Sequence, residues 1–226
     1  MPVVLIANPK GGVGKSTIAA NLAGFFARAG RRTMLGDLDR QHSVTTWLKL
    51  RPEILPKIES WDIDERGVSR PPNGTTHVVI DAPAGVKGRR LEGVLKFADR
   101  VIVPLQASMF DICATRNFLD SLFESGLSQQ RTRIGVLGVR VDTRTRAADQ
   151  LERFVDGLKL PVLGHLRDTQ NYVHLTAHGL TLWDVNPGRV EKDLTQWMPI
   201  LKWVDGVSGK AAAPQQKAAP QLAKAA

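Results

Sequence analysis

Lys10 to Thr17 reads Lys-Gly-Gly-Val-Gly-Lys-Ser-Thr and gathers what phosphate binding requires into one short segment. Gly11, Gly12 and Gly14 carry no side chains to keep the backbone from curling its N–H groups around phosphate oxygens. Lys15 is a cation with the reach for β- and γ-phosphates, and the Ser16 hydroxyl is an oxygen ligand suited to the hard cation Mg²⁺. Val13 and Thr17 complete the turn and its passage into a helix, whose N-terminus adds a favourable field for an anion. The residue types and their order predict a loop that cradles a nucleotide polyphosphate with its metal.

The elements that must hold such a loop are readable on either side of it. Val3–Ala7 is a continuous apolar run, the pattern of a strand buried on both faces. After the loop, Ile18, Ala19, Leu22, Ala23, Phe25 and Phe26 recur at helical spacing up to Ala29, and Gly30 stands where a helix ends. Further strands are predicted at Thr33–Leu38, His77–Ile80, Arg100–Pro104, Ile134–Val139 and Val162–Leu166, separated mostly by stretches long enough for helices. This alternation predicts an α/β fold: a doubly wound, mainly parallel sheet flanked by helices. Arg51–Gly74, rich in proline and charge and without a clean period, reads as a peripheral excursion. A single domain is expected over 1–206, followed over 207–226 by an Ala/Lys/Gln/Pro-rich flexible tail.

Composition narrows the function classes. The 226 residues, 42% of them hydrophobic, suffice for one domain with a sizeable core. A formal charge of +9 favours polyanionic partners, nucleic acid or an acidic membrane surface, by non-specific attraction. The single cysteine, Cys113, excludes an internal disulfide framework and a cysteine-built metal cluster within the chain. No apolar run approaches the ~20 residues of a membrane span, and no secretory signal opens the chain, so a cytoplasmic protein is expected.

The general phosphate loop is Gly-x4-Gly-Lys-Ser/Thr; with its second glycine at Gly14 the first position falls on Pro9. That departure, together with Lys10, resembles the deviant Walker A motif of the ParA/MinD family of P-loop ATPases. The resemblance implies ATP and Mg²⁺ as ligands and makes Lys10 the signature lysine, which in that family crosses a nucleotide-sandwich homodimer to the other subunit's phosphates. Gly36-Asp-Leu-Asp-Arg-Gln41 resembles the family's Asp-x-Asp-Pro-Gln element, with Arg40 replacing proline, and implies that Asp39 orients or activates the attacking water. His77-Val-Val-Ile-Asp-Ala-Pro-Ala-Gly85 is similar to the Walker B strand and second switch, which gives Asp81 the role of holding Mg²⁺ through water, beside Ser16.

Within the family the small stand-alone ParA proteins are most similar. Val103-Pro-Leu-Gln-Ala-Ser-Met-Phe-Asp111 resembles their Val-Pro-x-x-Pro-Ser-x-x-Asp segment, with Ala107 where proline is usual, and Gly179-Leu-Thr-Leu resembles their Gly-x-Pro turn without its proline. A first strand at Val3 leaves no room for an N-terminal DNA-reading domain, which argues against sequence-specific repression. The resemblance implies a slow ATPase that dimerises on ATP, binds non-specific nucleoid DNA, and positions a cargo under stimulation by a cargo-linked activator protein. Arg167, Arg189 and Lys192 are the expected DNA contacts, chosen from a set that includes Arg140, Arg144, Arg146 and Lys202. Trp47, Trp61, Trp183, Trp197 and Trp203 are expected in the core or an interface rather than as base-stacking platforms. Iron-protein relatives need a cluster-binding cysteine pair that one thiol does not supply. A MinD-like membrane role needs bulky apolar residues that the tail lacks, so no stable membrane insertion is expected. A metabolic ATPase or kinase needs a substrate pocket that is not legible, and the presence of Lys10 and Asp39 argues against a hydrolysis-poor scaffold.

Overall fold

All four residues of Val3–Ile6 (β1) are buried, and their side chains divide between two layers as the period of a strand dictates. Val4 and Ile6 join a core with Ile18, Leu22, Phe26 and Trp197, while Val3, Leu5 and Ala7 join a second with Leu91, Leu95, Phe118 and Leu119. A strand covered in this way must lie at the centre of a sheet flanked by helices. The computed structural model describes residues 1–61, 71–124 and 133–205. Within them β1 is followed by α1 (Lys15–Arg28), β2 (Thr33–Asp37), α2 (Ser43–Leu50), β3 (Ile58–Trp61), β4 (His77–Asp81), α3 (Gly88–Leu95) and β5 (Arg100–Leu105). The chain continues through α4 (Met109–Glu124), β6 (Arg133–Val139), α5 (Arg146–Leu158), β7 (Val162–Leu166), α6 (Gln170–Ala177), a 3₁₀ turn (Leu182–Asp184) and α7 (Pro187–Asp205).

The described strands form one parallel sheet in the order β3-β2-β4-β1-β5-β6-β7. The connection leaving β1 runs toward β2 and the one leaving β4 runs the other way, to β5. In such sheets ligands bind beyond the carboxyl ends of the strands where the order reverses, and here the segment after β1 is the glycine loop. The register aligns Ile6 with Asp81 across β1 and β4, and Asp37 with Asp81 across β2 and β4, so two strand-end aspartates stand side by side next to that loop.

One expectation is corrected. The stretch read as an excursion contains β3, an edge strand that aligns Thr33 with Ile58 and Gly36 with Trp61. Only Ile58 and Trp61, its two ends, are buried. A four-residue edge strand with that pattern shows neither alternation nor a continuous apolar run. The rest of the excursion, residues 62–70, and the expected tail over 207–226 lie outside the described residues. Trp47, Trp61 and Trp197 are buried in the cores, and Trp183 and Trp203 pack against them, which leaves none as an open stacking platform.

Candidate nucleotide site

The loop between β1 and α1 owes its path to Asn8, which sequence reasoning passed over. Its fully buried side chain donates to the Pro104 carbonyl at 2.7 Å and to the Thr115 hydroxyl at 3.0 Å, and accepts the Lys10 N–H at 2.8 Å. The loop is thus tied to the end of β5 and to α4 before the glycines begin. Gly12 and Gly14 adopt φ of 75° and 80°, a left-handed conformation that a side chain would strain. Open space lies beside Gly11, Gly12 and Gly14, where a Cβ would meet nothing within 4 Å. Gly14 is also the N-cap of α1, which has no side-chain cap and no acid in its first turn. The first N–H groups of a helix have no carbonyl of their own to bond, so this end is prepared for an anion.

Lys15 bends back over the loop, and its Nζ donates to the Lys10 carbonyl at 2.7 Å. Its side chain is buried, and burial lowers its pKa while Asp81 and Asp39 pull it back up. Lys10 itself is half-buried at the loop's outer edge, and Gln106, just past β5, donates to the Gly12 carbonyl at 3.3 Å.

The carboxylates divide their work. Asp37 is consumed in shaping the turn after β2: one oxygen accepts the Asp39 N–H and the other the Thr45 N–H in α2, both at 3.0 Å. Asp39 is left half-buried, with Oδ1 accepting the Gln41 N–H at 3.0 Å. Asp81 is different, because both of its oxygens are buried with no hydrogen-bond partner. Burial pushes its pKa up to about 7, with Asp37 and Asp39 adding to the rise, while Ser16 and Lys15 hold it back. Ser16 exerts that pull without a hydrogen bond of ordinary geometry to either oxygen. An orphaned carboxylate of this kind is relieved by a cation, and Ser16 with Asp81 is a hard-oxygen pair that fits Mg²⁺. Among the described residues no group of three His, Cys, Asp or Glu side chains could hold a metal, so the ion would draw the rest of its shell from water and phosphate.

A cavity of about 420 Å³ opens beside Gly14 and Thr17 and runs between α2 and α6. Thr46 and Trp47 form one wall; Asp168, Thr169 and Tyr172 form the other, and Arg140 closes the end of β6. None of this was readable in the sequence, because the walls come from segments far apart along the chain.

The structure brings Lys10, Lys15, Ser16, Asp39 and Asp81 to one end of the sheet. The three basic residues expected to touch DNA do not form one set. Arg189 and Lys192 are exposed on α7. Arg167 instead donates from Nε to the buried Asp193 at 2.6 Å, although its side chain remains 39% exposed. Arg144 lies in an exposed pair with Asp142 at 3.0 Å, and Lys202 is exposed on α7.

Comparisons with known proteins bear on the family and the fold. Residues 4–182 match the CobQ/CobB/MinD/ParA nucleotide-binding domain. The chain is 30% identical to the chromosome-partitioning ATPase Soj of Thermus thermophilus over 183 residues, covering 66% of this chain and 73% of Soj. It is 32% identical over 146 residues to the maintenance of carboxysome distribution protein A of Gloeobacter kilaueensis, covering 63% of this chain and only 65% of that protein. The MinD cell division protein of Aquifex aeolicus shares the fold at a TM-score of 0.72 and 18% identity, over 92% of this chain and 98% of that one. Among the described residues no helix is long and apolar enough to cross a membrane. The chain belongs to the CobQ/CobB/MinD/ParA family of nucleotide-binding domains.

Proposed function

We propose that this chain is an ATP-driven positioning switch: a homodimer formed on ATP that binds non-specific DNA and releases it when slow hydrolysis, stimulated by a cargo-linked activator protein, removes the γ-phosphate. The observation that carries the reading is the orphaned Asp81 carboxylate beside Ser16, Lys15 and an uncapped helix N-terminus. A merely structural turn has no need of a buried charge without a partner.

Backbone N–H groups from Gly11 through Thr17 bind the phosphates, and Lys15 offsets the charge of the β- and γ-groups. Ser16 and Asp81, the latter through water, would hold Mg²⁺, which would offset the charge that develops on the phosphates during transfer. Asp39 orients the attacking water from the end of β2. Lys10, at the rim, supplies a second cation to the partner subunit's phosphates, the kind of added positive charge that stabilises this transition state. The cavity between α2 and α6 receives the nucleoside. Arg189 and Lys192 on α7 are the proposed DNA contacts, with Arg167 the weakest of the three because its charge already compensates Asp193. Relatives named for chromosome partitioning and carboxysome distribution support a cargo of that kind, a chromosome region, plasmid or protein cluster, in a nucleoid-associated cytoplasmic setting.

The test is ATP turnover with and without a DNA duplex of arbitrary sequence, together with DNA binding in ATP and in ADP. DNA binding that requires ATP is expected. A metabolic ATPase or kinase would ignore the duplex, and equal binding in the two nucleotide states would remove DNA as the switched partner.

A further inference from the structure

A wholly buried carboxylate on α7 has no role in the phosphate chemistry. Asp193 is 0% exposed on a helix whose neighbouring inward positions are Val190, Trp197 and Ile200. Burying a charge there is costly unless it is paired, and an apolar residue would serve packing at least as well. Both of its oxygens are engaged: Oδ1 accepts Arg167 Nε and Oδ2 accepts Asn171 Nδ2, each at 2.6 Å. One turn further on, Gln196 Oε1 accepts the Arg167 N–H at 3.0 Å, and Trp197 Nε1 donates to the Tyr172 hydroxyl at 3.0 Å. Residues 193, 196 and 197 share one helix face by their i, i+3, i+4 spacing. Their partners all fall between Arg167 and Tyr172, the segment that walls the cavity beside the phosphate loop.

We propose that Asp193 is a positioning residue for the nucleoside end of the bound nucleotide: with Gln196 and Trp197 it fixes the β7–α6 wall of the cavity and ties that wall to α7. This rests on the nucleotide reading above. Lys192 adjoins Asp193 on the same helical segment, past the break in helical geometry at Val190 that sets Arg189 apart, so the wall is tied to the basic face at Lys192. A ligand that pulls on the wall reorients the basic face, and by linkage a ligand on that face changes nucleotide affinity by the same factor. The grip lies on the nucleoside side and leaves the phosphate loop to Asn8 and Gln106.

That division supplies the test. Binding of Mg²⁺-ATP and of inorganic tripolyphosphate is measured by calorimetry for the parent chain, for Asp193→Asn and for Gln196→Ala. The second variant deletes one acceptor and leaves the buried ion pair intact. ATP should weaken about tenfold in each variant while tripolyphosphate stays within about twofold, since tenfold is what losing roughly one good hydrogen bond's worth of positioning gives. Deuterium exchange over 187–205 should slow in the parent with ATP and not with tripolyphosphate, and the variants should lose that slowing. Equal weakening of both ligands would mean that the network only supports the fold, and no weakening of either would mean that it positions nothing; each result overturns the proposal. A parent that binds tripolyphosphate as tightly as ATP would remove the cavity as the nucleoside site while leaving the phosphate loop in place. A parent that binds neither would instead sink the nucleotide reading itself.

Discussion

Lys15 and Asp81 feel each other's charge at the phosphate loop, and burial works against the ionised form of both in the nucleotide-free protein. Removing the Lys15 ammonium leaves phosphate charge without its buried counter-charge and also strips the Lys10 carbonyl of its 2.7 Å partner. Lys15→Ala and Lys15→Gln should therefore abolish ATP-dependent dimerisation, read by sizing chromatography with Mg²⁺-ATP. A variant that still dimerises would mean the site is misassigned. Asp81 makes a second prediction, in nucleotide-free protein with EDTA. Its folded pKa of about 7 lies above its ordinary value of 3.8, so between those values the native state holds a proton that the unfolded chain has released. Stability from this group is present at low pH, declines as pH rises through that window, and is fully lost above about 7. Asp81→Asn removes the penalty, on the order of 4 kcal/mol at most for about three pKa units. The parent's melting temperature should fall relative to the variant's from about pH 4 to pH 7 and run parallel to it above. A constant gap across that range would show that Asp81 does not titrate there.

At the scale of elements, α2 is held in place from behind. Arg51, its C-cap, makes a two-pronged pair with Asp184, whose side chain is 0% exposed, at 2.9 and 3.1 Å, and Asp184 also caps the 3₁₀ turn through Thr181. The chain can pass this close only because Gly179 stands where it does. Its φ is 68°, and an added Cβ would overlap the backbone carbonyl of Leu50. Backbone cannot swing aside as a side chain can, so Gly179→Ala should cost at least about 2 kcal/mol from strain and overlap together. At roughly 2–4 °C per kcal/mol for a chain of this size, the melting temperature should fall by about 4–8 °C. An unchanged midpoint would mean that α2 shifts freely. These interactions also mark the limit of what the sequence made legible. β1, the loop and α1 were readable because they are contiguous and because burial on both faces leaves a continuous apolar run. Asn8 was not, since its partners Pro104 and Thr115 lie 96 and 107 residues away. Arg167 read as a basic surface residue because nothing local marks Asp193, 26 residues on, as its partner. The cavity walls and the edge strand β3 were hidden for the same reason: long-range packing defines them, and no local period records it.

For the whole molecule, the proposed cycle needs a state that keeps ATP and does not hydrolyse it. Asp39→Ala removes the carboxylate that would orient water and leaves the glycine loop, Lys15, Ser16 and Asp81 in place, so nucleotide binding should persist while turnover falls. The trapped dimer should bind unrelated DNA duplexes alike, because neutralising phosphates releases counterions whatever the sequence. In the proposed cycle the formal charge of +9 would supply the attraction, and the exposed residues of α7 would supply points of attachment. Arg189→Glu and Lys192→Glu should weaken every duplex equally and lower the log–log salt slope by about 0.9 for each DNA phosphate no longer neutralised. Arg167→Glu is a poor probe, since it would set a second carboxylate against Asp193 and disturb the fold as well as the surface. Fluorescence anisotropy across a salt series, in ATP and in ADP, reads all of this at once. Binding that ignores salt, or a slope unchanged by both substitutions, would clear α7 of a role in holding DNA and leave the basic charge of the chain to be explained by another polyanionic surface.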